Sequence, residues 1–129
     1  MKGRPKRTPS TPLQLTRKAL RDLREIETYS VERWGRATAD EYLDLIEAAL
    51  DRIMQDPTIL GPPSDARPGL HFYRVKKHCL ICDWDGSSVI VLAVLHTSMD
   101  LPSRLMELEP QLAAEIELLR SRLPRPSGP

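Results

Sequence analysis

The chain has 129 residues, which is long enough for one domain with a hydrophobic core and short for two. Its 19 Lys and Arg residues against 18 Asp and Glu residues leave the molecule near neutral, with a formal net charge of +1. No run approaches the roughly 20 apolar residues of a membrane span, and the N-terminus lacks the apolar core of a signal peptide. With 2 cysteines and no mark of secretion, the composition argues against a disulfide framework and favours a cytoplasmic protein without membrane association.

Residues 1–12 differ in composition from the rest of the chain. They combine prolines and small polar residues with a local excess of positive charge, carried by Lys2, Arg4, Lys6 and Arg7. Because this segment has no apolar surface to offset the entropy of ordering, we predict a flexible basic arm. Its cations could contact the phosphates of a nucleic acid, although a solubilising role is the simpler interpretation.

The first half of the chain predicts a short strand followed by two helices. The strand is expected at Leu13 to Thr16, and the apolar residues after it recur at helical spacing until Gly35 ends the first helix. A second helix is predicted from Thr38 to Gln55, with one apolar stripe and its acidic residues mostly opposite. Two helices joined at one glycine form a helical hairpin.

The second half of the chain predicts a sheet. Prolines and glycines crowd between residues 57 and 69, which indicates a long surface loop rather than a regular helix. Three strands follow, at Leu70 to Val75, His78 to Trp84 and Ser88 to Leu95. The Asp85–Gly86 pair favours a tight hairpin between the last two. The last strand is apolar from Val89 onward, so we place it centrally, covered on both faces.

The C-terminal segment predicts one more helix. Leu112, Ile116, Leu119 and Leu123 recur at steps of four, three and four, between Pro110 at the start and Pro124 at the end. We expect this helix to dock on the sheet face that the helical hairpin leaves open. Self-association and capture of a partner are the alternatives.

Four phrases occur in order between Leu15 and Leu105. They are ALRDLREIETYSVERWG from Ala19, ADEYLDLIEAALDRIMQDP from Ala39, RPGL from Arg67 and VLHTSMDLPSRL from Val94. Together with the order of the predicted elements, they resemble the RelE/ParE toxins of bacterial type II toxin-antitoxin systems, closest to the ParE branch. The resemblance implies an α+β fold, in which an N-terminal helical hairpin packs on a small, mostly antiparallel sheet with the C-terminal helix as an extra element.

The resemblance also divides the chain and implies a function. Residues 1–12 are the basic arm, 13–105 the ParE-like toxin domain, and 106–129 the C-terminal amphipathic helix and tail. Such a toxin is neutralised by a cognate antitoxin lying across the hairpin and sheet. ParE-type members inhibit DNA gyrase by binding it and need no catalytic group, whereas RelE-type members cleave mRNA on the ribosome. A degenerate toxin that retains only antitoxin binding is a third alternative, because His71 and Cys82 depart from the family pattern.

Two overlapping sets of residues are candidates for the site. A nuclease would need cations and a group that moves a proton, which Arg67, Arg74, Lys77, His78 and His96 could supply. Contact with the target or the antitoxin is expected at Arg67, His71, Arg74, His96 and Arg104. The simpler interpretation is that these are solvated loop and turn residues and that His96 ends a strand with its ring bonded to backbone. The sequence shows no compact acid and base set, which favours a binding protein over an enzyme.

The cysteines and tryptophans have structural interpretations. A separation of three on a strand points Cys79 and Cys82 to opposite faces, so a shared metal or a disulfide is not expected. No cofactor or metal is implied. Trp34 and Trp84 lie at element ends, where aromatic residues most often pack between layers, so we predict both in the core. Whether the toxin forms homo-oligomers or only toxin-antitoxin hetero-oligomers is left open.

Overall fold

The computed structural model describes residues 10–62 and 69–122, and these form four strands and three α-helices around one sheet. The strands are β1 (Leu13–Leu15), β2 (Leu70–Val75), β3 (His78–Trp84) and β4 (Val89–His96). The helices are α1 (Arg17–Trp34), α2 (Arg36–Gln55) and α3 (Leu101–Arg122). A short 3-10 helix, Pro57–Leu60, starts the proline-rich segment that was predicted as loop, and its Leu60 is buried.

The sheet has the strand order β1-β4-β3-β2. β4 pairs in parallel with β1 and antiparallel with β3, and β3 pairs antiparallel with β2. The α1–α2 hairpin covers one face of β4 and α3 covers the other. The predicted α+β architecture, with a mostly antiparallel sheet and a central last strand, is therefore confirmed.

A β-bulge in β4 connects the sheet to α1. Ile81 pairs with Ala93 while Cys82 pairs with Val91, which leaves Leu92 as an extra residue on β4. The buried Thr16, the N-cap of α1, donates from its hydroxyl to the Leu92 carbonyl at 2.7 Å. The same oxygen accepts from the Ala19 N–H at 3.0 Å, so one side chain caps the helix and bonds the strand.

Asp22 makes the second connection, one turn further along α1. β1 ends its pairing with β4 at Val91, so the Val94 N–H lies beyond the reach of β1. The buried Asp22 carboxylate accepts a hydrogen bond from this N–H at 2.9 Å. Its other oxygen pairs with Lys18 in the preceding turn. The carboxylate is thus both hydrogen-bonded and charge-paired, as a buried charge requires.

Gly35 separates the two helices of the hairpin. Its φ of +94° is accessible to glycine and strained for other residues, and its N–H bonds to the Val31 carbonyl at 2.9 Å. α2 begins at Arg36, two residues before the predicted start.

The prediction that Trp34 lies in the core is wrong, because its side chain remains 61% exposed at the end of α1. Trp84, in contrast, packs against the hairpin-side core as predicted.

The two cysteines lie on opposite faces of β3. Cys79 belongs to the core beneath α3 and Cys82 to the core beneath the helical hairpin. Both thiols are buried and free, and burial raises the pKa of each. The prediction from strand geometry is confirmed.

The C-terminal helix is longer than the sequence predicts. α3 begins at Leu101 and contains Pro110, which was predicted as its start. A proline inside a helix removes one hydrogen bond to the preceding turn, and its ring clashes with the carbonyl there, so tertiary packing has to offset this cost where α3 continues through Pro110. Leu112 and Ile116 are buried on the sheet and Leu119 packs beside them, which confirms the predicted docking. Leu123 lies outside the described residues.

Part of the predicted basic arm contacts the domain. Ser10 accepts a hydrogen bond from Gln55, the Thr11 N–H donates to the Met54 carbonyl at 2.9 Å, and the Pro12 carbonyl accepts from Val89. Residues 1–9 lie outside the described part of the chain, so the division into arm, domain and tail stays a prediction. None of the helices described is long and apolar enough to cross a membrane.

We predict that Thr16→Val destabilises the fold. The change preserves shape but leaves the Leu92 carbonyl and the Ala19 N–H without their partner, which should cost about 2–3 kcal/mol. The free energy of unfolding from urea titration measures this. Thr38→Val, at an exposed position of α2, is the matched control and should stay within about 0.5 kcal/mol of the wild type. Equal effects of the two changes would contradict the role given to Thr16.

Candidate functional site

A cleft of about 570 Å³ opens where the helical hairpin meets the end of β4. We call it the hairpin cleft. One wall comes from α1, another from the start of α2, and the rest from the β2–β3 turn, the end of β4 and the first turns of α3. Its lining residues are Lys18, Asp22, Glu25, Ile26, Tyr29, Ser30, Trp34, Thr38, Tyr42, Lys77, His78, Val94, Leu95, His96, Met99 and Arg104.

One end of the hairpin cleft is apolar and exposed. Tyr29 is 60% and Trp34 61% exposed, although both carry large aromatic rings. They belong to the last turns of α1, and Met99, also exposed, faces the same cleft. The Arg33 guanidinium lies 5.5 Å from the Trp34 ring centroid, within cation–π distance. Exposed aromatic residues grouped in a concavity indicate a surface that another molecule covers.

The other end of the cleft holds a tyrosine and two histidines. The Tyr42 hydroxyl oxygen accepts from the Lys77 N–H at 3.2 Å, and the same oxygen forms a hydrogen bond with His78 Nδ1 at 2.6 Å. The His78 and His96 rings meet edge to face, with centroids 5.2 Å apart. His96 Nδ1 in turn accepts from the Ser98 N–H at 3.0 Å.

Both histidine rings are hydrogen-bonded within the protein at Nδ1. Burial lowers the pKa of His78, and the neighbouring His96 lowers it further, against an opposing effect of Asp22. Burial also raises the pKa of Tyr42. The three side chains form one hydrogen-bonded and stacked group at the end of β4.

The sequence-predicted site residues separate into three groups. Lys77, His78, His96 and Arg104 all line the hairpin cleft. Arg74 lies outside the lining, and its guanidinium donates to the Lys76 carbonyl at 2.9 Å at the β2–β3 turn. Arg67 lies outside the described residues.

His71, also predicted as a contact residue, is buried in this structure. It is 4% exposed and lies beside the Trp84 ring, with centroids 5.8 Å apart. Its place on β2 follows from the two-residue period, since Tyr73 and Val75 point to the same hairpin-side core. A partner could reach His71 only if the domain opened.

Sequence reasoning missed three members of the cleft. Tyr42 falls in the apolar stripe predicted for the second helix and was not singled out, Trp34 was predicted in the core, and Asp22 was given no role. The signal for Tyr42 was present, because a phenol in an apolar stripe needs a partner for its hydroxyl. Within residues 10–62 and 69–122, no three His, Cys, Asp or Glu side chains are grouped as a metal site would require.

Comparison with known proteins identifies the class of this domain. The structure is similar to a solved chain of the chromosomal ParDE toxin-antitoxin system from Pseudomonas aeruginosa, with a TM-score of 0.59 and 22% identity over 67% of this chain and 96% of the other. A second solved structure, from the toxin-antitoxin complex RelBE2 of Mycobacterium tuberculosis, matches with a TM-score of 0.50 and 20% identity over 70% of this chain and 94% of the other. Both likenesses show that this domain shares the fold of those chains.

The family follows from sequence relatives. Residues 13–101 match the model of the ParE toxin of type II toxin-antitoxin system, parDE. Toxin ParE1 of Caulobacter vibrioides is 32% identical over 73% of this chain and 97% of its own length. Toxin ParE of Escherichia coli is also 32% identical, over 72% of this chain and 91% of its own. The chain belongs to the ParE toxin family, which confirms the resemblance and the function inferred from the sequence: it is the toxin component of a type II toxin-antitoxin system.

We predict that His78 titrates below the usual range of a histidine. The folded protein holds this proton less tightly than the unfolded chain, so the free energy of unfolding should fall as the pH drops from about 6.5. NMR of the imidazole C–H resonances gives the midpoint, which should lie below about 6.5. His96→Gln should move the His78 midpoint upward, because it removes a neighbouring charge. A midpoint at or above that of a free imidazole would contradict the buried, neutral assignment.

Proposed function

We propose that this toxin inhibits DNA gyrase by binding it, without catalysis, and that a cognate antitoxin neutralises it through the hairpin cleft. Gyrase is the proposed target because the chain belongs to the ParE family, and gyrase is the target that this resemblance implies. The observation that carries the mode of action is that both histidine rings are already hydrogen-bonded within the protein at Nδ1, His78 with the Tyr42 hydroxyl and His96 with the Ser98 N–H. This arrangement favours a binding surface over an acid and base pair.

The charges of the cleft agree with binding rather than phosphoryl chemistry. A nuclease needs cations preorganised around the pentacoordinate phosphorus. Here Lys18 pairs with the buried Asp22, and Arg104 with Glu107 at 3.1 Å. Arg74 points at a backbone carbonyl outside the cleft. Lys77 contributes its backbone N–H to Tyr42, and its side chain stays exposed at the turn.

The antitoxin is the proposed occupant of the apolar end of the cleft. Both solved neighbours come from toxin-antitoxin systems, which supports a protein partner of this kind. An amphipathic segment with large apolar side chains would cover Tyr29, Trp34 and Met99, and carboxylates on it would face Lys77 and Arg104. We further propose that toxin and antitoxin assemble as a hetero-oligomer in the cytoplasm, where gyrase acts.

An mRNA endoribonuclease is the second candidate function. It is favoured by the position of Lys77, His78 and His96 in one cleft. The sequence named these residues as candidates but did not show that they lie together. For this activity the Tyr42–His78 bond would have to break, so that His78 could accept a proton from the ribose hydroxyl.

Expression of the toxin alone in a bacterial host tests the target. We expect growth arrest with an induced DNA-damage reporter and unchanged mRNA 5′ ends, and rescue by co-expression of the protein encoded beside the toxin gene. Purified toxin should inhibit DNA supercoiling by purified gyrase at near-stoichiometric ratio. Codon-phased mRNA cuts without a damage response would establish the nuclease instead. Normal growth despite soluble expression would indicate a degenerate toxin that only binds antitoxin.

We predict that Trp34→Ala weakens antitoxin binding by about 10- to 100-fold, because exposed aromatic residues in a cleft are typical binding hot spots. The dissociation constant for the protein encoded beside the toxin gene measures this in titration calorimetry. Leu45→Ala is the matched control, since Leu45 is 42% exposed on α2 and does not line the cleft. Its affinity should equal that of the wild type. If the two variants bind alike, the antitoxin occupies another surface.

A further inference from the structure

The helix α3 is an addition to the matched family domain. The family match ends at residue 101, where α3 begins. The Caulobacter vibrioides relative is covered over 97% of its length by 73% of this chain. The sheet face beneath α3 is apolar, and its buried residues include Leu70, Cys79, Ile81, Ile90 and Leu95. In this chain that face is covered from within, by Leu112 and Ile116 of α3.

Arg120 attaches the C-terminal end of α3 to the β3–β4 turn. Its guanidinium donates to the Asp83 carboxylate at 2.7 Å, the Asp83 carbonyl at 3.0 Å and the Ser88 carbonyl at 2.8 Å. Its Nε lies 3.1 Å from the Ser88 hydroxyl and 2.9 Å from an Asp85 carboxylate oxygen. The arginine side chain is 19% and that of Asp83 9% exposed, so this pair is largely withdrawn from water, whereas Asp85 at the edge of the network is 43% exposed. All three guanidinium nitrogens are used, which only an arginine can do.

A second polar contact attaches the middle of α3 to α1. The Glu115 carboxylate accepts from the Arg17 N–H at 2.8 Å, at the N-terminal end of α1. This N–H is one of the groups that a helix leaves unbonded at its start, and a carboxylate there is also favoured by the helix dipole. α3 is therefore bonded to the N-terminal end of α1 at Glu115, between its buried residues Leu112 and Ile116, and to the sheet at Arg120, one turn beyond them.

We propose that Arg120 locks α3 on the sheet in the free toxin and in its complexes, so that a partner protein reaches this domain only from the side of the hairpin cleft. The lock closes a surface that the matched family domain does not itself cover. A partner can then bind only on the side of the helical hairpin. An antitoxin whose binding requires the sheet face beneath α3 is excluded. The identity of the partner as an antitoxin rests on the proposed function, but the lock itself does not.

The two cysteines provide a reporter for this lock. Cys79 is 5% exposed beneath α3, and Cys82 is fully buried beneath the helical hairpin. Undocking of α3 would expose Cys79 alone, whereas general unfolding would expose both. Labelling of the full-length toxin with a maleimide, with each cysteine quantified by peptide mass spectrometry, separates these events.

In the free toxin, Arg120→Ala should accelerate labelling of Cys79 by about tenfold or more, because it leaves the Asp83 carboxylate buried without its partner. Cys82 should stay as protected as in the wild type. Arg120→Lys, which keeps the charge but loses the planar fork, should give an intermediate rate. Arg122→Ala, exposed in the last turn of α3, is the matched control and should leave both rates unchanged. Unchanged Cys79 labelling in Arg120→Ala would overturn the lock.

The same measurement on the complex tests one-sided recognition. With the wild-type toxin bound to the protein encoded beside its gene, Cys79 should label no faster than in the free toxin. Faster labelling of Cys79 on complex formation would mean that the partner displaces α3 and would overturn the proposal. Failure to form any complex would contradict the proposal that this protein is the antitoxin. The Arg120 lock would then be tested by the labelling rates of the free toxin alone.

Discussion

The hydrogen bonds between α1 and the bulged part of β4 position the rest of the domain. β1 is three residues long and pairs with β4 only as far as Val91, so the backbone beyond that point needs other partners. Thr16 and Asp22 supply them, at the Leu92 carbonyl and the Val94 N–H. Because both side chains belong to α1, they set the position of this helix across the strand. α2 follows through Gly35, and the hairpin cleft opens where the two helices leave the sheet.

The two faces of the sheet have different roles as a consequence. The hairpin side ends in the cleft, which combines exposed aromatic rings with hydrogen-bonded histidines and suits contact with another protein. The opposite side is closed by α3, which the Arg120 network and the Glu115 contact hold in place. Met99, in the segment between β4 and α3, and Arg104, in the first turn of α3, both line the cleft, so the two sides of the sheet meet there. A toxin that works by binding would depend on this division of its surface.

Sequence patterns predicted the elements well and some side-chain environments poorly. The strands β2 and β3 and the end of α1 fall where periodicity and glycine placed them. Pro110 misled the prediction of α3, because proline is acceptable at a helix start and its presence inside a helix depends on packing that periodicity does not show. Trp34 was misplaced for a related reason. Its position at the end of α1 fits the apolar stripe, but its side chain lines the hairpin cleft and remains exposed.

The sequence by itself determined the class of fold, the family and the opposite orientation of Cys79 and Cys82, since these depend on period, order and strand geometry along the chain. Only the tertiary structure decided which polar residues meet. His78 and His96 are brought together by the register of β3 against β4, and Tyr42 by the packing of α2. The burial of His71 and the joining of Arg120 to Asp83 also depend on contacts between distant segments. Such contacts arise from how layers pack, and local sequence periodicity carries no information about that.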